Sequence, residues 1–218
     1  MTRIVAIRHG ETAWNVDTRI QGHHDIPLNG TGRWQAQRTA SALIDEGISA
    51  IYSSDLLRAL ETAQALGRAL SMPVVTDTRL RERAFGVFEA HTFAEIEVRW
   101  PAEARRWAQR EPDFAPDGGE SLRQVQDRCV AAVQALAAAH AGQTIALVAH
   151  GGVMDCLYRA ATQLDLQAKR SWPLGNASIN RLLYNGVGLT LIGWSDTRHL
   201  DEVAALDDWT DAAGAPQA

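Results

Sequence analysis

The stretch Ile4-Val5-Ala6-Ile7-Arg8-His9-Gly10-Glu11-Thr12 runs four apolar residues without interruption into a cation, an imidazole and a glycine. An apolar run of that length with no polar alternation suits a strand covered on both faces, as in a parallel sheet, and ligands of such sheets gather beyond the carboxyl ends of the strands. His9 is expected at that end. Gly10, having no Cβ, lets the backbone turn there and lets a phosphate-sized group approach Arg8 and His9. A histidine after a strand is also a common structural residue, and a motif of this length does not decide between the two readings.

A second stretch repeats the design. Thr144-Ile145-Ala146-Leu147-Val148-Ala149 delivers His150 into Gly151-Gly152. Between the two strands the chain alternates helical and extended patterns. A helix is expected from Asn29 to Glu46, with Gly47 as its stop, and a strand from Ile48 to Ser54. Asp55 is placed to cap a following helix whose first turn carries Arg58, and Pro73-Val74-Val75 supplies another short strand. This rhythm predicts an α/β fold: a three-layer α/β/α sandwich with a mostly parallel sheet. Ser121 to Ala141 reads as a helix ended by Gly142. The segments on either side of Asn185-Gly186 read as a hairpin adding an antiparallel edge.

Arg79 to Gly119 differs from this pattern, alternating charges with Phe85, Phe88, Phe93, Trp100, Trp107 and Phe114. Thr92-x-x-Glu95 is a capping box for a helix that ends in the loop around Pro112, Pro116, Gly118 and Gly119. A short lid insertion over about 83–119 is expected, within one domain over 1–205, followed by a flexible tail over 206–218.

With 218 residues, 46% of them hydrophobic, the chain can bury a full core. A net charge of −5 argues against a general binder of nucleic acid or acidic membrane, so an anionic ligand must be held by a local cluster. Cys129 and Cys156 have no CxxC spacing, and none of the seven histidines sits in an HExxH pattern. No disulfide framework or metal site is expected. No apolar run is long enough to span a bilayer, and Met1-Thr2-Arg3 leads straight into the first strand, so a cytoplasmic location is expected.

The strand ends and helix starts thus supply Arg8, His9, Arg58 and His150 to one anion, and Leu80-Arg81-Glu82-Arg83 adds a carboxylate. A carboxylate beside an anion pocket repels the ligand while ionised, unless it exchanges a proton during the reaction. Glu82 is therefore a candidate acid, although between two arginines it also reads as a solvated charge.

These residues lie in a series of motifs. Arg8-His9-Gly10-Glu11-Thr12-x-Trp14-Asn15 is followed by Arg19-x-Gln21-Gly22-x-x-Asp25-x-Pro27-Leu28 and by Tyr52-Ser53-Ser54-Asp55-Leu56-x-Arg58-Ala59-x-x-Thr62-Ala63. Then come Leu80-x-Glu82-x-x-Phe85-Gly86, Gly119-Glu120-Ser121, Val148-x-His150-Gly151-Gly152 and Asn176-x-Ser178-Ile179. In this order they resemble the histidine phosphatase superfamily, which includes cofactor-dependent phosphoglycerate mutases. The resemblance implies that His9 is the nucleophile, that Arg8, Arg58 and His150 hold the transferring phosphoryl group, and that Glu82 is the proton donor. It implies contacts from Asn15, Gln21 and Gly22 to the phosphoryl group or substrate, with Gly151 beside them. Asp155 departs from the family, where an arginine often follows the second histidine motif, as do Phe88 and Ala90.

The expected activity is a metal-independent phosphatase acting on small phosphomonoesters through a phosphohistidine. A phosphoglycerate mutase, which needs 2,3-bisphosphoglycerate as primer, and a catalytically silent phospho-ligand-binding module are the alternatives. No other cofactor is expected. Arg105-Arg106 is a tandem pair of the kind mutases use for a substrate carboxylate, or a solvated helix face. The expected partner is a small phosphorylated metabolite, not nucleic acid or membrane, and a homodimer is compatible with the sequence.

Overall fold

The structure is a computed structural model, and it describes residues 1–201. The tail expected over 206–218 lies outside the described residues. Strands β1 (Thr2–Arg8), β2 (Ile48–Ser53), β3 (Val74–Thr76), β4 (Thr144–Ala149), β5 (Ile179–Tyr184) and β6 (Leu189–Asp196) form one sheet in the order β3-β2-β4-β1-β5-β6. β1, β2, β3 and β4 pair in parallel, while β5 runs antiparallel to β1 and β6 antiparallel to β5. The expected antiparallel hairpin is the β5–β6 edge.

The apolar run of β1 is shared between the two faces, as its period of two requires. Ile4 and Ala6 pack with Val125, Cys129 and Val133 of α6 (Leu122–Ala138) and with Val153 and Leu157 of α7 (Gly151–Thr162). Val5 and Ile7 pack on the other face with Ala36 and Ala40 of α2 (Gly30–Ala42) and with Ala59, Ala63 and Leu66 of α3 (Leu57–Leu70). Helices therefore cover both sides of the sheet, and every residue of β4 is buried.

Three sequence expectations are corrected. α2 ends at Ala42, with Leu43 as its cap, so Gly47 lies in a separate left-handed turn beyond the helix. Asp55 does not cap α3: its carboxylate pairs with Arg81, and the N–H of Leu57 is accepted by Asp25 Oδ1 at 2.6 Å instead. The helix after Thr92 is two helices, α4 (Phe93–Arg99) and α5 (Pro101–Ala108), because Pro101 lacks the N–H to continue α4 and sits well in a first turn. The expected capping box at Thr92 is present, and Ser121 forms another with Gln124 at the start of α6.

Residues 83–119 build a small core of their own from Phe88, Ile96, Ala104 and Phe114, with Phe85, Trp100 and Trp107 packed against it. Arg106 pairs with Glu111 and lies over the Phe114 ring, and Arg105 is likewise exposed. The Arg105-Arg106 pair is thus a solvated helix face.

Candidate active site

The β1–β4 register decides the site. Arg8 stands opposite Ala149, and the His9 N–H donates to the Ala149 carbonyl at 3.0 Å, so His9 and His150 leave adjacent strand ends side by side. Their ring centroids are 5.3 Å apart. β1 feeds the α2–β2 side of the sheet and β4 feeds the α7–β5 side. The two histidines therefore stand where the chain direction splits, the place where open α/β sheets bind ligands.

Gly10 is required for close packing more than for a special turn. A Cβ on it would lie 2.4 Å from the Gly32 carbonyl oxygen at the start of α2. Its N–H donates to Thr62 Oγ1 at 3.1 Å, tying the loop to α3. Its carbonyl accepts from His9 Nδ1 at 2.7 Å. That bond puts the proton on Nδ1 and leaves the Nε2 lone pair available. Burial, then the charges of Arg58 and Arg8, hold the His9 pKa well below its ordinary value, so the ring is neutral near pH 7.

Arg58 is buried in α3 and reaches back to the loop that leads into α2, where Nη1 donates to the His24 carbonyl at 2.9 Å and Nη2 to the Gly22 carbonyl at 2.8 Å. Burial lowers its pKa to about 10, which leaves it charged at neutral pH. Arg8 Nη1 donates to the Leu174 carbonyl. His150, fully buried at the N-terminus of α7, has its pKa pushed well down by burial and by Arg58. Among the described residues, Arg8 Nε, Arg58 Nε and both ring nitrogens of His150 have no hydrogen-bond partner although each is buried.

Glu82 meets these groups from the other side. Its carboxylate accepts from the Gly152 N–H at the start of α7 and from the Arg83 N–H at 2.8 Å. The ideal Cβ position of Gly151 lies 3.5 Å from Arg8 Nε and 3.9 Å from Glu82 Oε2, so Gly151 is the floor between the cation and the acid. Arg8, His9, Arg58, Glu82, His150 and Gly151 are therefore brought together.

Asn15, Gln21 and Gly22 stand in the layer behind. Asn15 Oδ1 accepts from the Thr12 N–H at 3.0 Å and from Asn176 Nδ2 at 3.3 Å, closing the capping box of α1 (Ala13–Val16). Gln21 Oε1 is 3.0 Å from Thr12 Oγ1, and Gly22 supplies the carbonyl that holds Arg58.

Sequence reasoning missed two residues here. No motif gives His23 a role, yet its Nε2 lies 2.8 Å from the Glu82 carbonyl oxygen. Glu89 Oε1 accepts from the N–H groups of both His23 and Phe85, joining the Gly22 loop to the Glu82 segment. The adjacency of Gly22-His23 to Gln21 was the available signal. Among the described residues no group of three or more His, Cys, Asp or Glu is placed to hold a metal ion, and no helix is long and apolar enough to cross a membrane.

The chain is 41% identical over 207 residues to phosphoglycerate mutase-like protein 4 of Arabidopsis thaliana, covering 93% of this chain and 89% of that one. Among solved structures, YhfR of Bacillus stearothermophilus superposes with a TM-score of 0.86 at 34% identity, covering 92% of this chain and all (100%) of its own. The mycobacterial glucosyl-3-phosphoglycerate phosphatase Rv2419c, solved with VO3, does so with a TM-score of 0.80 at 36% identity, covering 89% and 99% of the two chains. The family model of the histidine phosphatase superfamily (branch 1) matches residues 4–197. With that match spanning both histidine motifs and reaching all six strands, the chain belongs to the histidine phosphatase superfamily, branch 1.

Proposed function

We propose that this protein is a phosphatase that hydrolyses small phosphomonoesters through a phosphohistidine on His9, needing neither metal nor cofactor. The observation that carries the reading is the set of buried nitrogens without partners, on Arg8, Arg58 and His150, around a neutral His9 whose free nitrogen is Nε2. Leaving a buried donor unpaired costs about 1–3 kcal/mol, so such a set is maintained where a ligand satisfies it. Donors on guanidinium and imidazole groups match the equatorial oxygens of a phosphoryl group, where the charge of the transition state spreads.

In the first half-reaction the Nε2 lone pair of His9 attacks phosphorus in line. The bond to the ester oxygen breaks, and that oxygen leaves as an alcohol after taking the Glu82 proton. In the second, the Glu82 carboxylate takes a proton from water, the water oxygen bonds to phosphorus, and the electron pair of the P–N bond returns to Nε2. Inorganic phosphate and a protonated Glu82 remain. Gly152 and Arg83 N–H groups orient the carboxyl for both steps.

Water rather than a rebound sugar acid is favoured as acceptor because the Arg105-Arg106 pair, the mutase-like feature of the sequence, faces solvent. The similarity to a mutase-like protein keeps a 2,3-bisphosphoglycerate-primed mutase as the second reading. Cys129 and Cys156, both free and buried, suit a reducing compartment such as the cytoplasm.

Phosphate release from a panel of phosphomonoesters in EDTA, with and without 2,3-bisphosphoglycerate, tests the reading. Release without primer and undiminished by chelator is expected. Isomerisation of phosphoglycerate that depends on primer, with no phosphate release, would establish the mutase instead.

A further inference from the structure

Glu82 sits in a segment, 81–85, that belongs to no helix or strand, so the place of its carboxyl depends on what holds the backbone. On the α6 side, Arg128 Nη1 donates to the Arg81 carbonyl at 3.0 Å and Glu120 Oε2 accepts the Ala84 N–H at 2.9 Å. On the phosphoryl side the holder is His23. Its Nε2 is 2.8 Å from the Glu82 carbonyl oxygen, against 3.4 Å for Arg128 Nη2 on the same atom. A carbonyl only accepts, so Nε2 carries the proton and donates.

The tripeptide Gly22-His23-His24 thereby touches two parts of the site at once. The carbonyls of Gly22 and His24 hold Arg58, and the imidazole between them holds the acid's own residue. Glu89 fixes the tripeptide in turn: its Oε1 accepts from the His23 N–H at 3.1 Å and from the Phe85 N–H at 2.9 Å. Gly22 has a φ of +50°, and a Cβ on it would collide with the Glu89 carboxylate, so the loop packs directly on that side chain. His23 is also near enough to His150 to add, after burial and the charge of Arg58, to the lowering of its pKa.

Proton transfer to the leaving oxygen needs the acid within hydrogen-bond reach while the phosphoryl group is held, and a misplacement of about 1 Å can cost about 10²-fold. Arg58 and Glu82 come from α3 and from an irregular segment more than twenty residues later, so their separation must be set across the fold. Among the described residues, His23 is the only member of the tripeptide holding Arg58 whose side chain bonds to Glu82.

We propose that His23 is a positioning residue: its imidazole sets Glu82 within reach of the ester oxygen whose phosphoryl group Arg58 holds, and so acts on leaving-group protonation more than on phosphoryl binding. The proposal rests on the phosphatase reading above and deepens it.

The test compares wild type, His23→Ala and His23→Gln on glycerol 3-phosphate and on p-nitrophenyl phosphate. Glutamine carries its Nε2 as many bonds from Cα as histidine does, and so keeps the donor. His23→Ala is expected to lower kcat on glycerol 3-phosphate by about tenfold to 10²-fold, with KM little changed. On p-nitrophenyl phosphate, whose leaving group hardly needs a proton, the loss should stay within about threefold. His23→Gln should recover most of the difference. In a Glu82→Gln background, His23→Ala should add no more than about twofold, since the acid it places is already gone. A His23 that serves only the fold would slow both esters alike, gain nothing from glutamine and multiply its effect with Glu82→Gln; any of these three results would overturn the proposal.

The contact is also read without turnover. ¹H–¹⁵N spectra of the His23 ring at neutral pH should show a proton on Nε2, and a bare Nε2 would overturn the proposal whatever the kinetics. If the wild type releases phosphate from neither ester, the phosphatase reading fails separately, while the ring spectrum still decides the contact between His23 and Glu82.

Discussion

The N–H of Gly152 lies 3.1 Å from Oε1 and 3.0 Å from Oε2 of Glu82, so the candidate acid is held by the first turn of the helix that His150 opens. The helix terminus favours a negative group at this point and fixes its direction toward Arg8. A methyl group on residue 152 would lie 2.2 Å from Glu82 Oε1.

Gly152→Ala is therefore expected to displace Glu82 while the fold persists. On an alkyl phosphate kcat should drop about 10²-fold, at the lower end of what a general acid contributes. Unchanged far-ultraviolet dichroism with that loss is the predicted pair of readings; full activity would mean that the Glu82–Gly152 contact does not position the acid.

Glu82→Gln keeps the shape and removes the proton. The loss should be about 10²–10⁴-fold on esters of aliphatic alcohols and much smaller on p-nitrophenyl phosphate, whose leaving group hardly needs protonation. Equal losses on the two substrates would give Glu82 a structural role only.

The depressed histidines make stability depend on pH in a defined direction. His9 and His150 resist protonation in the folded state, by burial first and then by the arginine charges, whereas in the unfolded chain they protonate near 6.5. Above that pH both states are neutral and nothing is lost. As the pH falls below 6.5 the unfolded state gains protons that the folded state does not, and each histidine contributes a loss of about 1.4 kcal/mol per pH unit. Urea titrations between pH 7 and 5 should show His150→Asn falling less steeply than wild type by that amount. Parallel profiles would contradict the assignment.

The two buried strands and their histidines were legible because a strand covered on both faces needs an unbroken apolar run, and a parallel register then sets His9 beside His150. Local chemistry also made the capping box at Thr92 legible. What stayed hidden depends on residues far along the chain. Asp55 looks like a cap until Arg81 competes for it, and the carboxylate of Asp25, from the loop between α1 and α2, takes over the helix start. Arg83 looks like a solvated neighbour of Glu82, but its burial is decided by the carbonyls of Phe114 and Glu120, more than thirty residues on. Its motif position carries no signal for that.

Asp155 and Arg159 offer a test of packing apart from chemistry. Arg159 is fully buried, with Asp155 as its counter-charge, and it donates to the carbonyls of Asp165 and Ala168 in the loop that leads to Leu174. Asp155→Ala strands that charge and should cost about 3–5 kcal/mol in urea unfolding. Pairing it with Arg159→Met should recover much of the loss. A single substitution costing under about 1 kcal/mol would show that the pair is not what anchors the loop.

The covalent step is tested most directly by quenching the enzyme in turnover with a ³²P-labelled phosphomonoester and locating the label. An acid-labile, base-stable phosphate on His9, absent from His9→Ala, is the expected result. Label on any other residue, or labelling that survives in His9→Ala, would contradict it.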